Sequence, residues 1–328
     1  MKKFMNAVDT VLTESLDGFA AAHADIVQLG GGHKLVRRKT LKPGKVALLS
    51  GGGTGHEPLH AGFVGAGMLD AACPGQIFTS PTPDQMAEAM AEIDTGAGTL
   101  LIVKNYEGDL MNFEMSAEIA EGRVERVIVN DDLAVEDSLY TIGRRGVAGT
   151  LVVEKLVGAA AERGADLDAL RTLGDRVNAA TRSMGVALTS CTVPAAGKPM
   201  FELGADEMEF GVGIHGEPGR RREKLRSADS IAEEIVAAIA GDLSLAKTPV
   251  LLFVNGFGGT PSMELYLMYN AARRMLEERG IAVARSLVGS YVTSLDMAGC
   301  SITVTALGDD LVSLWDAPVH TAALRWGA

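Results

Sequence analysis

The stretch Val46-Ala47-Leu48-Leu49-Ser50-Gly51-Gly52-Gly53-Thr54-Gly55-His56-Glu57-Pro58 constrains the fold of this chain more than any other. A short apolar run of this kind reads as a buried strand, and the glycines after it remove the side chains that would continue ordinary packing. Pro58 then suits the first position of a helix, where its missing N–H costs nothing. The pattern predicts strand 45–49, a glycine-rich turn, and a helix over 58–67. Backbone N–H groups in such a turn can hold oxygen-rich or anionic groups at the helix N-terminus. A tight connection with no ligand fits the same residues.

Two motif readings of this stretch fail on chemistry. His56-Glu57-Pro58-Leu59-His60 spells H-E-x-x-H, which on a helix places two imidazoles on one zinc. Within such a helix Pro58 would clash with the Thr54 carbonyl, so His56 belongs to the loop and the two imidazoles share no face. A dinucleotide G-x-G-x-x-G starting at Gly51 needs glycine where His56 stands, and G-x-x-x-x-G-K-[ST] occurs nowhere in the chain. No phosphate-cradling nucleotide loop is therefore expected.

Two further segments carry reactive side chains. Leu100-Leu101-Ile102-Val103 reads as a buried strand whose carboxyl end releases Lys104 and Asp109 into a loop, and ligands collect at such strand ends in open α/β sheets. Taken singly, a charged residue there is ordinary solvated surface. Gly213-Ile214-His215-Gly216-Glu217-Pro218-Gly219 places an imidazole among small residues that leave one face open, although Gly-Glu-Pro-Gly is also plain turn punctuation.

Short apolar strands alternate with helical patterns, which predicts an α/β protein of two domains, each a largely parallel or mixed sheet flanked by helices. Strands are expected at 45–49, 99–103 and 125–129, with helices at 58–67, 83–94, 148–163 and 167–181. The boundary is placed near 184, giving domains 1–184 and 185–328. The second holds strands at 186–190, 249–254 and 301–306 and helices at 227–240 and 261–279. Its turn Asn255-Gly256-Phe257-Gly258-Gly259-Thr260-Pro261 is either a simple connection or a docking or site-lining loop.

A formal net charge of −12 argues against nucleic acid as partner. The tight basic run Arg220-Arg221-Arg222, with Lys224 and Arg226, reads as a solvated helix start or as a patch that attracts phosphate or a partner. Cys73, Cys191 and Cys300 are scattered without C-x-x-C spacing, which suggests a reducing compartment and no metal site. No long charge-free apolar run addresses the chain to a membrane, and the charged start Met1-Lys2-Lys3 is followed by Asp9, Glu14 and Asp17, unlike a signal-peptide core. A cytoplasmic protein is expected.

Gly-Gly-Gly-Thr-Gly-His-Glu-Pro at 51–58, Lys-Asn-Tyr-Glu-Gly-Asp at 104–109 and Gly-Ile-His-Gly-Glu-Pro-Gly at 213–219 together resemble the dihydroxyacetone kinase family, and within it the substrate-binding K subunits. Stretches 78–85, 129–132, 143–150 and 293–299 fit the same family, so the resemblance spans nearly the whole chain. It implies that His215 adds to a ketone to form a hemiaminal, that Asp109 and His56 flank the hydroxyl to be phosphorylated, and that Gly53, Thr54, Gly55 and Lys104 belong to the substrate site. It further implies a homodimer that binds no cofactor itself. ADP or ATP with magnesium would sit on a separate nucleotide-binding L subunit, which a phosphotransferase M subunit could in turn serve. Glu107 departs from the family pattern, where a small polar residue is common. The alternative within the same fold is a ketose sensor or coactivator that forms the hemiaminal and transfers nothing.

Overall fold

The computed structural model describes residues 2–134, 143–217, 219–245 and 248–327. The first half runs α1 (Val11–Ala22), β1 (Val27–Gly30), β2 (Leu35–Arg38), β3 (Ala47–Thr54), β4 (Gly65–Ala66), β5 (Ala71–Ile77), α2 (Pro83–Glu92), β6 (Thr99–Lys104), α3 (Glu107–Ile119) and β7 (Val124–Val129). There follow α4 (Gly149–Glu162), α5 (Leu167–Ala179), β8 (Thr181–Ala187), β9 (Glu207–Phe210), β10 (Arg221–Lys224), α6 (Ala228–Asp242), β11 (Val250–Gly256), α7 (Ser262–Glu278), β12 (Val283–Gly289), β13 (Gly299–Ala306), α8 (Asp309–Trp315), β14 (Val319–Thr321) and β15 (Arg325–Trp326).

Two mixed six-stranded sheets result, in the orders β1-β2-β5-β3-β6-β7 and β10-β9-β8-β13-β11-β12. β3 and β6, parallel neighbours at the centre of the first sheet, are buried along their whole length, as is β11 in the second. That is why each contains a near-continuous apolar run instead of an alternating one. Helix starts follow local chemistry: the Thr82 hydroxyl caps α2 ahead of Pro83, Asp166 caps α5, and Ser227 caps α6.

α4 is the helix on which the rest packs. Every residue from Gly149 to Ala161 is buried, including Glu154 and Lys155, and a helix apolar on all sides belongs in a core. It shares one cluster with Leu48 and Leu100 of the first sheet and Leu251 and Phe253 of the second. The C-terminal segment returns to this cluster through Leu311, Trp315 and Leu324, and β14 pairs with β4. Lys155 Nζ donates to the Leu314 and Ala317 carbonyls and so fastens α8 to α4.

Several sequence expectations need correction. The glycines after Leu49 do not form a turn: β3 continues through Gly51, Gly52 and Gly53 to Thr54, because neighbours press too closely on it for any side chain. No helix spans 58–67; that stretch holds turns, a single 3₁₀ turn at Ala61–Phe63 and β4. The strand expected at 186–190 lies at Thr181–Ala187, so residue 184, the expected boundary, falls inside β8. Arg221 to Lys224 form edge strand β10, not a helix start. Their charges meet carboxylates: Arg221 and Arg226 share Glu234, and Arg222 reaches Glu209. Among described residues no helix is long and apolar enough to cross a membrane.

Gly158 tests the packing of α4. A Cβ there would lie 2.5 Å from the Gly67 carbonyl oxygen and from Met68 Cα, both backbone atoms that move only with the chain. Gly158→Ala should therefore destabilise by about 1–3 kcal/mol, despite alanine's better helix propensity. Urea unfolding checks this, and a stabilised variant would show that the contact relaxes freely.

Candidate functional site

β3 and β6 run parallel and end on the same edge of the first sheet, so Gly53 and Lys104 arrive there together. The chain turns at once from Lys104 into α3, whose first turn carries Asp109. Asp109 is thus a buried residue on a helix, where a loop was expected, while Glu107 stays exposed at the rim. From the second sheet, the turn after β9 brings His215 to the same place. Gly53, Phe78, Tyr106, Asp109, His215 and Glu217 all line one open cleft of about 580 Å³.

The glycines serve close approach. A Cβ on Gly52 would stand 2.1 Å from Lys104 Nζ, and one on Gly53 would stand 2.5 Å from the Thr79 amide nitrogen. Without side chains, β3 lets the lysine slide beneath it and the 78–79 turn close over it. Phe78 adopts φ of 56°, in the left-handed region that costs a bulky residue strain, and its ring is held against His56.

His215 stands among three rings. Tyr106, His56 and Phe78 meet it edge-on with centroids at 4.5, 4.6 and 5.4 Å. Its Nδ1 lies 3.0 Å from Glu217 Oε1, and its backbone N–H donates to Glu217 Oε2 at 3.0 Å. A carboxylate only accepts, so Nδ1 carries the hydrogen and Nε2 keeps a lone pair. Burial pushes the Glu217 carboxyl up, but the His215 imidazole, its hydrogen bond and the Arg145 guanidinium outweigh this and bring it to about 2. Arg145 is itself fully buried, donating to Asp132 at 2.8 Å and to the Gly211 carbonyl at 2.9 Å.

His56 is completely buried, its ring stacked on Phe78 at 5.0 Å. Nδ1 donates to the Thr293 carbonyl at 2.7 Å, and Nε2 has no partner among the described residues. Burial, reinforced by His215 and Lys104, holds its pKa well below the ordinary histidine value, so the ring is neutral with an open acceptor. Asn255 secures this arrangement: it accepts from the backbone N–H groups of Tyr291 and Val292 and donates to the Val292 carbonyl. Asn255, the first residue of the expected glycine-rich turn, thus lies near the end of β11 and positions the site.

Lys104 Nζ lies 3.4 Å from Asp109 Oδ2. Of the expected residues, His56 and Lys104 are fully buried and do not line the cleft, and Thr54 and Gly55 have other surroundings. The Thr54 hydroxyl donates to the Gly75 carbonyl, and Thr54 lines a separate cavity of about 360 Å³ beneath α1. Gly55 lies under the Phe78 ring, with its N–H donating to Glu57. The imidazoles of the H-E-x-x-H string have different partners, Thr293 for His56 and Glu154 with Ser50 for His60. The three cysteines are free and buried. Pro218 lies outside the described residues.

Sequence reasoning missed Glu217, Phe78, Tyr106, Arg145 and Asn255. Only Glu217 left a local signal, a carboxylate two residues from a histidine in a glycine-bounded turn. Tyr106 sits inside the Lys104–Asp109 motif without a signal of its own, and Phe78, Arg145 and Asn255 reach the site from other parts of the chain.

Residues 17–323 match the Dak1 domain family model. The chain is 50% identical over 328 residues to the dihydroxyacetone-binding subunit DhaK of PTS-dependent dihydroxyacetone kinase 1 from Listeria innocua, covering 98% of this chain and 100% of that one. It is 48% identical over 355 residues to the dihydroxyacetone-binding subunit DhaK of the PEP-dependent kinase from Escherichia coli, with full coverage of both. Among solved structures, a dihydroxyacetone kinase operon co-activator, DhaQ, superposes with a TM-score of 0.90 at 33% identity, covering 95% of this chain and 97% of that one.

The buried neutral His56 predicts a pH dependence. The unfolded chain takes up a proton at this residue below about pH 6.5, whereas the folded chain does not, so stability falls as pH drops from there towards the lower folded value. Between pH 6.5 and 5.5 the wild type should lose up to about 1 kcal/mol more than His56→Asn. Urea unfolding of both proteins across that range measures the difference, and equal losses would refute the assignment.

Proposed function

The chain belongs to the Dak1 domain family, and from that premise and the geometry of the cleft we propose that it is the dihydroxyacetone-binding subunit of a dihydroxyacetone kinase. The observation that carries this reading is the pairing of His215 with Glu217 at the wall of an open cleft, next to Asp109. With Nδ1 committed to Glu217, Nε2 is the nitrogen available to a ketone. Its lone pair forms the N–C bond as the C=O π bond opens onto oxygen. The oxygen gains a proton, and the imidazole releases the Nδ1 hydrogen it shares with Glu217, leaving a neutral hemiaminal. Glycerol has no electrophilic carbon and forms no such bond.

Capture on His215 fixes the substrate in a cleft that Asp109 also lines. Asp109 accepts the proton of the attacking hydroxyl, and the unpartnered Nε2 of His56, whose ring meets His215 edge-on, is a second acceptor. Gly53 lines the cleft, and the buried Lys104, beneath Gly52, meets Asp109 from behind. Because phosphoryl transfer depends mainly on positioning and charge stabilisation, a pinned hydroxyl supplies much of what the reaction requires. The nucleotide, ADP or ATP with magnesium, sits on a separate L subunit. The PTS- and PEP-dependent names of the 50% and 48% identical relatives support a phosphoryl group relayed from phosphoenolpyruvate through an M subunit.

Two copies of the chain pair in this reading. Met263, Tyr266 and Leu267 are exposed near the start of α7, an apolar surface that a second copy would cover. Buried free cysteines suit a reducing cytoplasm. The resemblance to a co-activator keeps a sensor role as the second reading, but both acid–base residues accompany His215 here, and a sensor needs only the carbonyl trap.

With carbonyl-labelled dihydroxyacetone, the ¹³C resonance should move from the ketone to the tetrahedral range on wild-type protein. It should not move on His215→Ala. Asp109→Asn should retain this shift while phosphoryl transfer with a complementing L subunit falls by roughly 10²-fold or more. A transfer rate within a few-fold of wild type would remove Asp109 as the base, and capture without transfer by the wild type with any L subunit would favour the sensor.

A further inference from the structure

Behind the cleft, on the far side of Lys104, lies a chain of buried groups that ketose capture and transfer leave unused. Lys104 Nζ stands 3.3 Å from His60 Nε2, and His60 Nδ1 stands 2.6 Å from Glu154 Oε1 and 3.0 Å from Ser50 Oγ. Ser50, Lys104 and Glu154 are fully buried, and His60 nearly so. Hydrogen positions follow from Ser50. Its hydroxyl donates to the Ile102 carbonyl at 2.7 Å, so its oxygen can only accept from His60. Nδ1 therefore carries the ring hydrogen, shared between Ser50 and Glu154, and Nε2 presents a lone pair to the lysine. The remaining contacts of Lys104 are Asp109 Oδ2 at 3.4 Å and the Gly51 carbonyl at 3.5 Å. Three donors meet three acceptors, each at the long end of the hydrogen-bond range, so the set holds the amino group and no single bond does.

Stability does not explain this chain. A histidine and a glutamate inside an otherwise apolar helix contact are often less favourable than packed hydrophobic residues of similar volume. Glu154 is also the acidic residue of α4 that lies in the fully buried stretch. What the chain does do is define the far side of Lys104, whose near side meets Asp109. We propose that His60 and Glu154 are positioning residues: through the bond from Lys104 to His60 Nε2 they hold the lysine beneath Gly52 and against Asp109, and so fix the carboxylate end of the cleft. The effect on catalysis rests on the ketose-kinase reading above, whereas the hold on Lys104 does not.

The test uses the full-length protein with ¹⁵N-labelled lysine. A buried amino group held by three acceptors gives a ¹H–¹⁵Nζ signal protected from water exchange, assigned by its absence in Lys104→Met. His60→Leu combined with Glu154→Met removes both polar groups and leaves neither partner unpaired. The double variant should lose the Lys104 signal and lower kcat with a complementing L subunit by about 10- to 100-fold, with ketose capture changed by less than about threefold. His60→Gln, whose amide oxygen can replace Nε2 as acceptor, should recover the signal and part of kcat. A folded double variant with an unchanged Lys104 signal overturns the proposal, as does a loss of kcat matched by an equal loss of capture. Should the double variant not fold, His60→Gln and His60→Asn decide: the longer amide must keep the signal and the shorter must lose it, and equal signals overturn the idea. The signal needs neither ketose nor L subunit, so failure of wild-type capture would count against the functional reading alone.

Discussion

The structure depends on a central strand that has no side chains over three successive residues near the cleft. At Gly51, Gly52 and Gly53 a Cβ would meet the Cys73 carbonyl, Lys104 Nζ and the Phe78–Thr79 backbone, each at 2.7 Å or less. β3 is therefore a wall thin enough for a buried lysine on one side and a closing turn on another. Any larger residue would displace Lys104, and with it the alignment of Asp109. The strain stored at Phe78 belongs to the same constraint, because the turn that crosses Gly53 must bend sharply to bring the Phe78 ring onto His56.

Around that strand the fold assigns protons by burial and pairing. His56 and His60 are both pushed well below the ordinary histidine range, first by burial and then by neighbouring positive charge, so both are neutral donors at Nδ1 and acceptors at Nε2. Glu217 is treated oppositely: although burial pushes it up, His215 and Arg145 keep it ionised. Glu154 remains far above the carboxylate range because burial dominates there and the Lys104 charge only partly offsets it. Two comparably buried carboxyls thus diverge according to how far their neighbours offset burial, and Glu217 is held as an acceptor for His215.

The sequence made the central elements legible and the site's supports illegible, for a physical reason. Buried strands such as Thr99–Lys104 and the wholly buried helix Gly149–Glu162 announce themselves because their neighbours demand continuous apolar surface. The three motifs were also legible as candidate chemistry, since glycine next to histidine, lysine or aspartate removes the packing that would explain those residues otherwise. The helix expected at 58–67 failed because apolar periodicity around Pro58 could not reveal that Gly62 packs its backbone against Pro58 and that Gly65 presses on the His320 carbonyl. The hairpin β1–β2 was missed because strands of four residues are too short to set a period, and edge strand β10 because an exposed, charged strand has no apolar alternation to detect. Arg145 and Asn255 act across 72 and 199 residues of chain, on Glu217 and His56 respectively, and no local pattern encodes such partnerships.

These long-range bonds also decide how rigid the cleft is. His215 comes from the second sheet and Asp109 from the first, so a hinge between the sheets would separate the two. The connections forbid a free hinge. Asp131 accepts from the backbone N–H groups of Val147 and Gly149 and from the Ser183 hydroxyl, Asp132 forms a bridge with Ser183 of β8, and Arg145 spans from Asp132 to the Gly211 carbonyl. On the opposite flank Thr293, from the second half of the chain, accepts from His56 and donates to the Glu57 carbonyl. Buried polar bonds of this kind are strong only when the geometry is kept, and breaking one strands its partner without water. Buried polar bonds therefore tie the two sheets on both sides of the cleft, and the folded chain holds His215 and Asp109 in one arrangement across it.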